Sequence, residues 1–205
     1  MTRLAILGAS GHGKVVADCA ERCGWRDISF FDDRWPELQH NGHWPVVGDT
    51  AALLSRAAAF DGVLVAIGNN QVRRSKLEAL QAAGATLPVL VHPAASVSSY
   101  CVIGAGSVVF AGAVINVDCT LGCGVIINTA ATVDHDCVLD DCVHISPGAH
   151  LAGGVSVGAG SWLGIGSSVR QMVRIGSGVV VGAGAAVVAN AQDGGTYVGV
   201  PARAR

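Results

Sequence analysis

From Val91 to Val187, every sixth residue of this chain is aliphatic, running through Val97, Ile103, Val109, Ile115 and on to Val181 without one polar member. A helix repeats near 3.6 residues and a strand near 2, so neither sustains a period of six. A solenoid of short strands joined by turns does. Two positions before each aliphatic residue stands a small or β-branched one, such as Cys101, Ser107, Ala113, Cys119, Val125 and Ala131. Glycine often follows it, as in Ile103-Gly104, Leu121-Gly122 and Val157-Gly158, where the backbone has to turn. The period therefore predicts a parallel β-helix with the aliphatic residues inside.

Periodicity alone does not say how many hexads close one coil. The pattern resembles the hexapeptide-repeat acyltransferases, and that resemblance implies a three-sided, left-handed prism of about five coils, against the usual right-handed crossover. Residues 18 apart would then stack at the strand spacing of roughly 4.8 Å. Cys101, Cys119 and Cys137 keep that interval and are expected to form one inward column.

The first half of the chain reads differently. Arg3–Leu7 is a short apolar strand that runs through Gly8, Gly11 and Gly13 into Val15–Ala20 at helical spacing. Strand, glycine loop and helix aim backbone N–H groups at an anion, although such a turn needs no ligand to exist. The order G-x-x-G-x-G permutes the dinucleotide fingerprint. Ile28–Phe31 is a second strand ending in Asp32 and Asp33, where a Rossmann-type site holds ribose or sugar hydroxyls; solvated turn carboxylates are the alternative. Trp44–Gly48 reads as an edge segment before an Ala-rich helix capped by Asp49 or Thr50. Gly62–Gly68 is a buried strand, Asn69 and Asn70 cap a helix through Ala83, and Leu87–Val91 is the last strand. This α/β unit has too few strands for a full dinucleotide fold, which disfavours an NAD-binding oxidoreductase.

Composition narrows the classes further. A formal charge of −2 with no long basic run argues against a nucleic-acid partner. With no apolar run of 18 and no signal-peptide pattern, a cytoplasmic protein with no membrane partner is expected. The seven cysteines lack zinc-type C-x2-C pairs, so no metal is expected and reduced, buried thiols are the plain reading.

One stretch of the repeat is chemically distinctive, Asn128–Cys137, with His144–Ala149 after it. His135 lies two residues past an inward aliphatic position, so it belongs to a turn or an outer face, and Asp134 and Asp136 flank it. A neighbouring carboxylate can fix the imidazole tautomer and raise its basicity. Gly153 is one coil later, which would place an amide beside the imidazole: a proton acceptor and an oxyanion donor, as acyl transfer requires. A surface histidine without function is the alternative.

The joint order of Gly8–Val16, Phe31–Asp33, Ala66–Asn70, Asn128–Cys137, His144–Ala149 and Gly199–Arg203 resembles the bacterial nucleotide-sugar acetyltransferases of the sialic-acid O-acetyltransferase-like branch, nearest to the UDP-4-amino-sugar N-acetyltransferases of bacillosamine synthesis. The resemblance implies a nucleotide-sugar-binding Rossmann-like domain over 1–88 and a left-handed β-helix acetyltransferase domain over 89–205. It implies His135 as general base tuned by Asp136, which stands where several relatives carry Glu. Ser10, Gly11, His12, Asp32, Asp33 and Gly68 would contact a nucleotide-linked amino-sugar. His144, Ile165 and Ala183 would line an acetyl-CoA groove, with Gly153 N–H on the thioester oxygen, in a homotrimer. The expected reaction is acetylation of the 4-amino group of a UDP-linked 4-amino-4,6-dideoxy sugar. GDP- or dTDP-linked amino-sugars and sugar hydroxyls are the neighbouring alternatives, and a non-catalytic scaffold is the distant one.

Overall fold

The computed structural model describes residues 2–205 and divides into two compact units, one ending at His92 and one running from Pro93 to Arg205. The boundary inferred from sequence, after residue 88, falls slightly earlier.

The first unit is built on a three-stranded parallel sheet. Its strands are β1 (Arg3–Leu7), β2 (Asp27–Phe31) and β5 (Gly62–Val65), in the order β2-β1-β5. Leu4, Ala5, Ile6, Val63 and Leu64 are fully buried, as a sheet with packed faces requires. Gly8 leaves β1 at φ +108, and a side chain there would meet the Ala66 carbonyl at 2.8 Å, so only glycine fits. Helix α1 spans Gly11–Arg22, earlier than the periodicity suggests. Ser10 holds extended φ and accepts Lys14 N–H on its carbonyl at 3.2 Å, closing the first turn. His12, Gly13 and Lys14 are therefore helical.

Trp44–Pro45 (β4) forms a two-residue hairpin with His40–Asn41 (β3), and the chain then runs along β2, with Val47 N–H on Phe30 O at 2.9 Å. Asp49 caps α2 (Thr50–Leu54) by accepting Ala52 N–H at 2.8 Å. Asn69 caps α3 (Asn70–Ala82) by accepting Val72 N–H at 3.0 Å. The strand expected over Leu87–Val91 is regular only at Leu90–Val91. Pro88 lacks the N–H a sheet strand donates and packs at Gly62 instead.

The second unit is a three-sided parallel β-helix of two-residue strands. One wall stacks Ser96–Val97, Val114–Ile115, Thr132–Val133, His150–Leu151, Ser168–Val169 and Ala186–Val187. The second runs from Val102–Ile103 to Arg174–Ile175, and the third from Val108–Val109 through His144–Ile145 and Trp162–Leu163 to Val180–Val181. Five full coils are followed by part of a sixth, shortened so that Val180 pairs with Thr196. Ile115, Leu121, Ile127, Val133, Leu139 and Ile145 are all at most 2% exposed, so the six-residue period is the core. Each such side chain contributes about 1.5–3 kcal/mol on burial.

The cysteine column forms as the spacing implies. The Cys101, Cys119 and Cys137 thiols each donate to a carbonyl 15 residues on, at 2.9, 3.0 and 3.4 Å. Among the described residues no group of three His, Cys, Asp or Glu is placed to hold a metal ion, and no helix is long and apolar enough to cross a membrane.

Candidate active site

His135 sits in the turn that follows Thr132–Val133 and is exposed. Four contacts fix this turn. The Asp134 carboxylate accepts Asn116 Nδ2–H from the preceding coil at 2.7 Å and His135 N–H at 2.9 Å. The His135 carbonyl accepts Gly154 N–H from the next coil at 2.9 Å. Asp136 turns the chain at φ 58 and places its Oδ2 2.7 Å from His135 Nδ1.

The carboxylate only accepts, so Nδ1 carries the hydrogen and Nε2 keeps its lone pair. The hydrogen bond to Asp136 raises the imidazole pKa, and the Asp134 charge adds to it. Gly153 lies beside the ring: a methyl built on its Cα would be 2.6 Å from Nε2. No acceptor among the described residues takes the Gly153 N–H. The result is an open groove of about 680 Å³, lined by His135, Asp136, Gly153, Gly154, Gln171 and Met172, in which a base and an unengaged amide N–H sit side by side. That pair can take a proton from a nucleophile and hold a developing oxyanion.

The other residues expected around a thioester fall elsewhere on the prism. His144 lies on the third wall, buried, with Nε2 3.2 Å from Asn128 Nδ2 and its ring stacked at 5.6 Å on Trp162. Trp162 Nε1–H donates to Ser146 Oγ at 2.6 Å, which holds the indole flat against the histidine. Ile165 and Ala183 occupy turns on the edge after that wall, stacked above Pro147 through Gly166 N–H to Pro147 O and Gly184 N–H to Ile165 O. Gly153 is on the edge after the first wall. One prism therefore does not gather Gly153, Ile165 and Ala183 on a single edge.

The first unit holds a second pocket, about 220 Å³, at the end of its sheet, lined by Ser10, Asp32, Asp33, Thr50, Gly68 and Lys76. Asp32 is engaged internally. Its carboxylate accepts Ala9 N–H at 2.8 Å and Arg34 Nε–H at 2.8 Å, and the Arg34 guanidinium lowers its pKa to about 2. Thr50, through its hydroxyl first and then its N–H at 2.9 Å, lowers the pKa of Asp33, which also faces Lys76 Nζ at 3.5 Å; Lys76 reaches Thr50 Oγ1 at 3.0 Å.

Gly11 and His12 stand outside this lining, in the first turn of α1. His12 is depressed to about 4 by burial and by the Arg73 cation. Arg73, 1% exposed, donates to Ile67 O at 3.0 Å, Gly68 O at 3.2 Å and Asn70 Oδ1 at 2.8 Å. Beside Arg74 it looks like half of a surface basic pair; only its position on the inner side of α3 separates the two. Thr50 and Lys76 carry no motif, and only their placement in the fold brings them to Asp33.

Comparison with known proteins follows the same division. Residues 3–80 match the family described as the PglD N-terminal domain. A UDP-N-acetylbacillosamine N-acetyltransferase of Bacillus subtilis (strain 168) is 39% identical over 114 residues, 54% of this chain and 52% of that protein, so the matched part spans about half the length of this curated relative. The acetyltransferase domain of PglB from Neisseria gonorrhoeae FA1090, in complex with acetyl coenzyme A, superposes with a TM-score of 0.96 at 48% identity over 99% of this chain and 98% of that one. PerB from Caulobacter crescentus, in complex with CoA and GDP-perosamine, gives 0.95 at 38% identity over 100% and 98%.

Proposed function

Because this chain belongs to the hexapeptide-repeat nucleotide-sugar acetyltransferases, we propose that it moves the acetyl group of acetyl-CoA to the 4-amino group of a UDP-linked 4-amino-4,6-dideoxy sugar. The observation that carries this reading is the free Nε2 of His135 beside the unengaged N–H of Gly153. The amine lone pair attacks the thioester carbonyl carbon, and the oxygen takes its negative charge onto the Gly153 N–H. His135 Nε2 accepts the proton released by the nitrogen. As the carbon–sulfur bond breaks, that proton passes to the departing thiolate, giving CoA and the amide. An amine with a pKa near 8 needs less help from a base than a hydroxyl does, and the exposed imidazole raised by Asp136 suits that demand.

The pocket of Ser10, Asp32, Asp33, Thr50, Gly68 and Lys76 would take the nucleotide, with Asp32 and Arg34 also bracing the glycine loop at Ala9. His12, neutral at physiological pH, would offer a hydrogen bond without charge. The groove at Gly153 and the edge of Ile165 and Ala183 would be completed by neighbouring prisms in a homotrimer, with acetyl-CoA between them, since one prism separates these residues. The reaction would run in the cytoplasm, where acetyl-CoA is available.

The name of the Bacillus relative supports uridine, whereas the Caulobacter relative, similar over the whole chain, holds a GDP-linked sugar. Thiol release from acetyl-CoA, measured against UDP-, GDP- and dTDP-linked 4-amino sugars, decides among them. Turnover is expected to be greatest with the UDP sugar. A preference for GDP or dTDP would move the assignment to that nucleotide, and thiol release with none of the three would overturn it.

A further inference from the structure

The edge of the β-helix that carries His135 differs from the other two in its turn residues. The turn position with positive φ is held by Asp118 (φ 60), Asp136 (φ 58), Gly154 (φ 68) and Met172 (φ 61) in successive coils. Among the described residues, five non-glycine residues have positive φ, and three of them are on this edge. Asp and Asn tolerate the left-handed region through their short polar side chains, but a long thioether gains nothing there from its backbone. Met172 is 74% exposed, so inward packing does not hold it either.

Its side chain folds back over the one glycine of the column. A methyl built on Gly154 would collide with the Met172 sulfur, so the sulfur occupies the space that a side chain at Gly154 would fill. Of the residues lining the His135 groove, Met172 is the only large apolar one. It bounds the groove one coil beyond the Gly153 amide, roughly 4.8 Å farther along the prism.

We propose that Met172 is the specificity-determining residue for the acyl group, closing the groove behind the thioester so that an acetyl group fits and a longer acyl chain does not. This rests on the acetyl-transfer reading above. With the carbonyl carbon held between His135 Nε2 and Gly153 N–H, acyl carbons directed along the groove toward Met172 would meet the thioether, and the longer the chain the sooner they would meet it. Apolar pockets discriminate by roughly 10–200-fold for one extra methylene, which sets the least size of the effect for butyryl.

The test compares kcat/KM for acetyl-, propionyl- and butyryl-CoA by thiol release in wild type, Met172→Gly, Met172→Asn and Met172→Leu, with UDP-, GDP- and dTDP-linked 4-amino sugars all offered to wild type and the best of them used for the variants. Glycine and asparagine both suit the left-handed turn, so these two variants keep the fold. The butyryl-to-acetyl ratio is expected to rise at least ~10-fold in Met172→Gly and Met172→Asn, and to stay within about 3-fold of wild type in Met172→Leu. A ratio unchanged in both Met172→Gly and Met172→Asn overturns the proposal while leaving acetyl transfer standing. So does a wild type that uses butyryl-CoA as well as acetyl-CoA. A wild type that releases thiol from none of the donors removes the acetyl-transfer reading, and the proposal with it.

Discussion

Replacing Gly153 by alanine adds one methyl group at the point where the prism meets the imidazole. That methyl would lie 2.5 Å from His135 Cε1, 2.6 Å from Nε2 and 3.2 Å from Cδ2. Non-bonded atoms of this kind rest near 3.5 Å or beyond, so the ring has to retreat by about 1 Å. The ring can retreat, because it is exposed, but Nδ1 is tied to Asp136 at 2.7 Å. The relief therefore comes from displacing Nε2 relative to the Gly153 N–H. A displacement of about 1 Å at reacting atoms costs on the order of 10²-fold in rate. Gly153 does not have positive φ, so alanine suits its backbone and the coil stays intact. Gly153→Ala should lower kcat/KM for acetyl transfer about 10²-fold, while Tm stays within ~3 °C of wild type. Activity within about 3-fold of wild type would refute the close pairing of Gly153 and His135 as the source of catalysis.

Three further outcomes follow from the same geometry. With His135 as the proposed base its neutral form would be the active one, and since Asp136 raises its pKa the acid limb of kcat/KM should lie above the range of an isolated histidine; in Asp136→Asn it should move to lower pH, as a pH–rate profile will read. His12 titrates at about 4 in the fold against 6.5 ordinarily, so the unfolded chain binds its proton first and stability declines as pH falls from about 6.5 towards about 4. In urea titrations across that range, His12→Gln should show a shallower decline. Arg73→Met leaves the carbonyls of Ile67 and Gly68 and the Asn70 side chain short of a buried donor, and should cost about 3 kcal/mol in urea unfolding, against under 0.5 kcal/mol for Arg74→Met on the exposed side of α3.

The β-helix was readable from sequence because each coil repeats one physical demand, an aliphatic side chain in a narrow interior, without interruption from Val97 to Val187. The same period placed Gly153 one coil above His135 and aligned Cys101, Cys119 and Cys137. It also separates Gly153 from Ile165 by two hexads, which puts them on different edges. The first unit was less legible because its determinants are single contacts. The extended Ser10 starts α1 ahead of its apolar residues, and Pro88 trims the last strand. Asp32 reads as a ligand-facing carboxylate, and its internal bonds to Ala9 and Arg34, made while it lines the pocket, carry no sequence signal. Met172 is silent in the sequence because its meaning lies in its backbone angle and in the space over Gly154, neither of which a periodicity carries.

The central claim is that the His135 imidazole takes the proton of the attacking amine, and it is tested most directly by single-turnover acetyl transfer in His135→Ala with CoA binding measured alongside. The side chain is exposed and leaves no cavity, so the variant should fold and bind CoA as wild type does. Acetyl transfer should fall by roughly 10²–10⁴-fold. A variant that transfers acetyl at the wild-type rate would contradict the account.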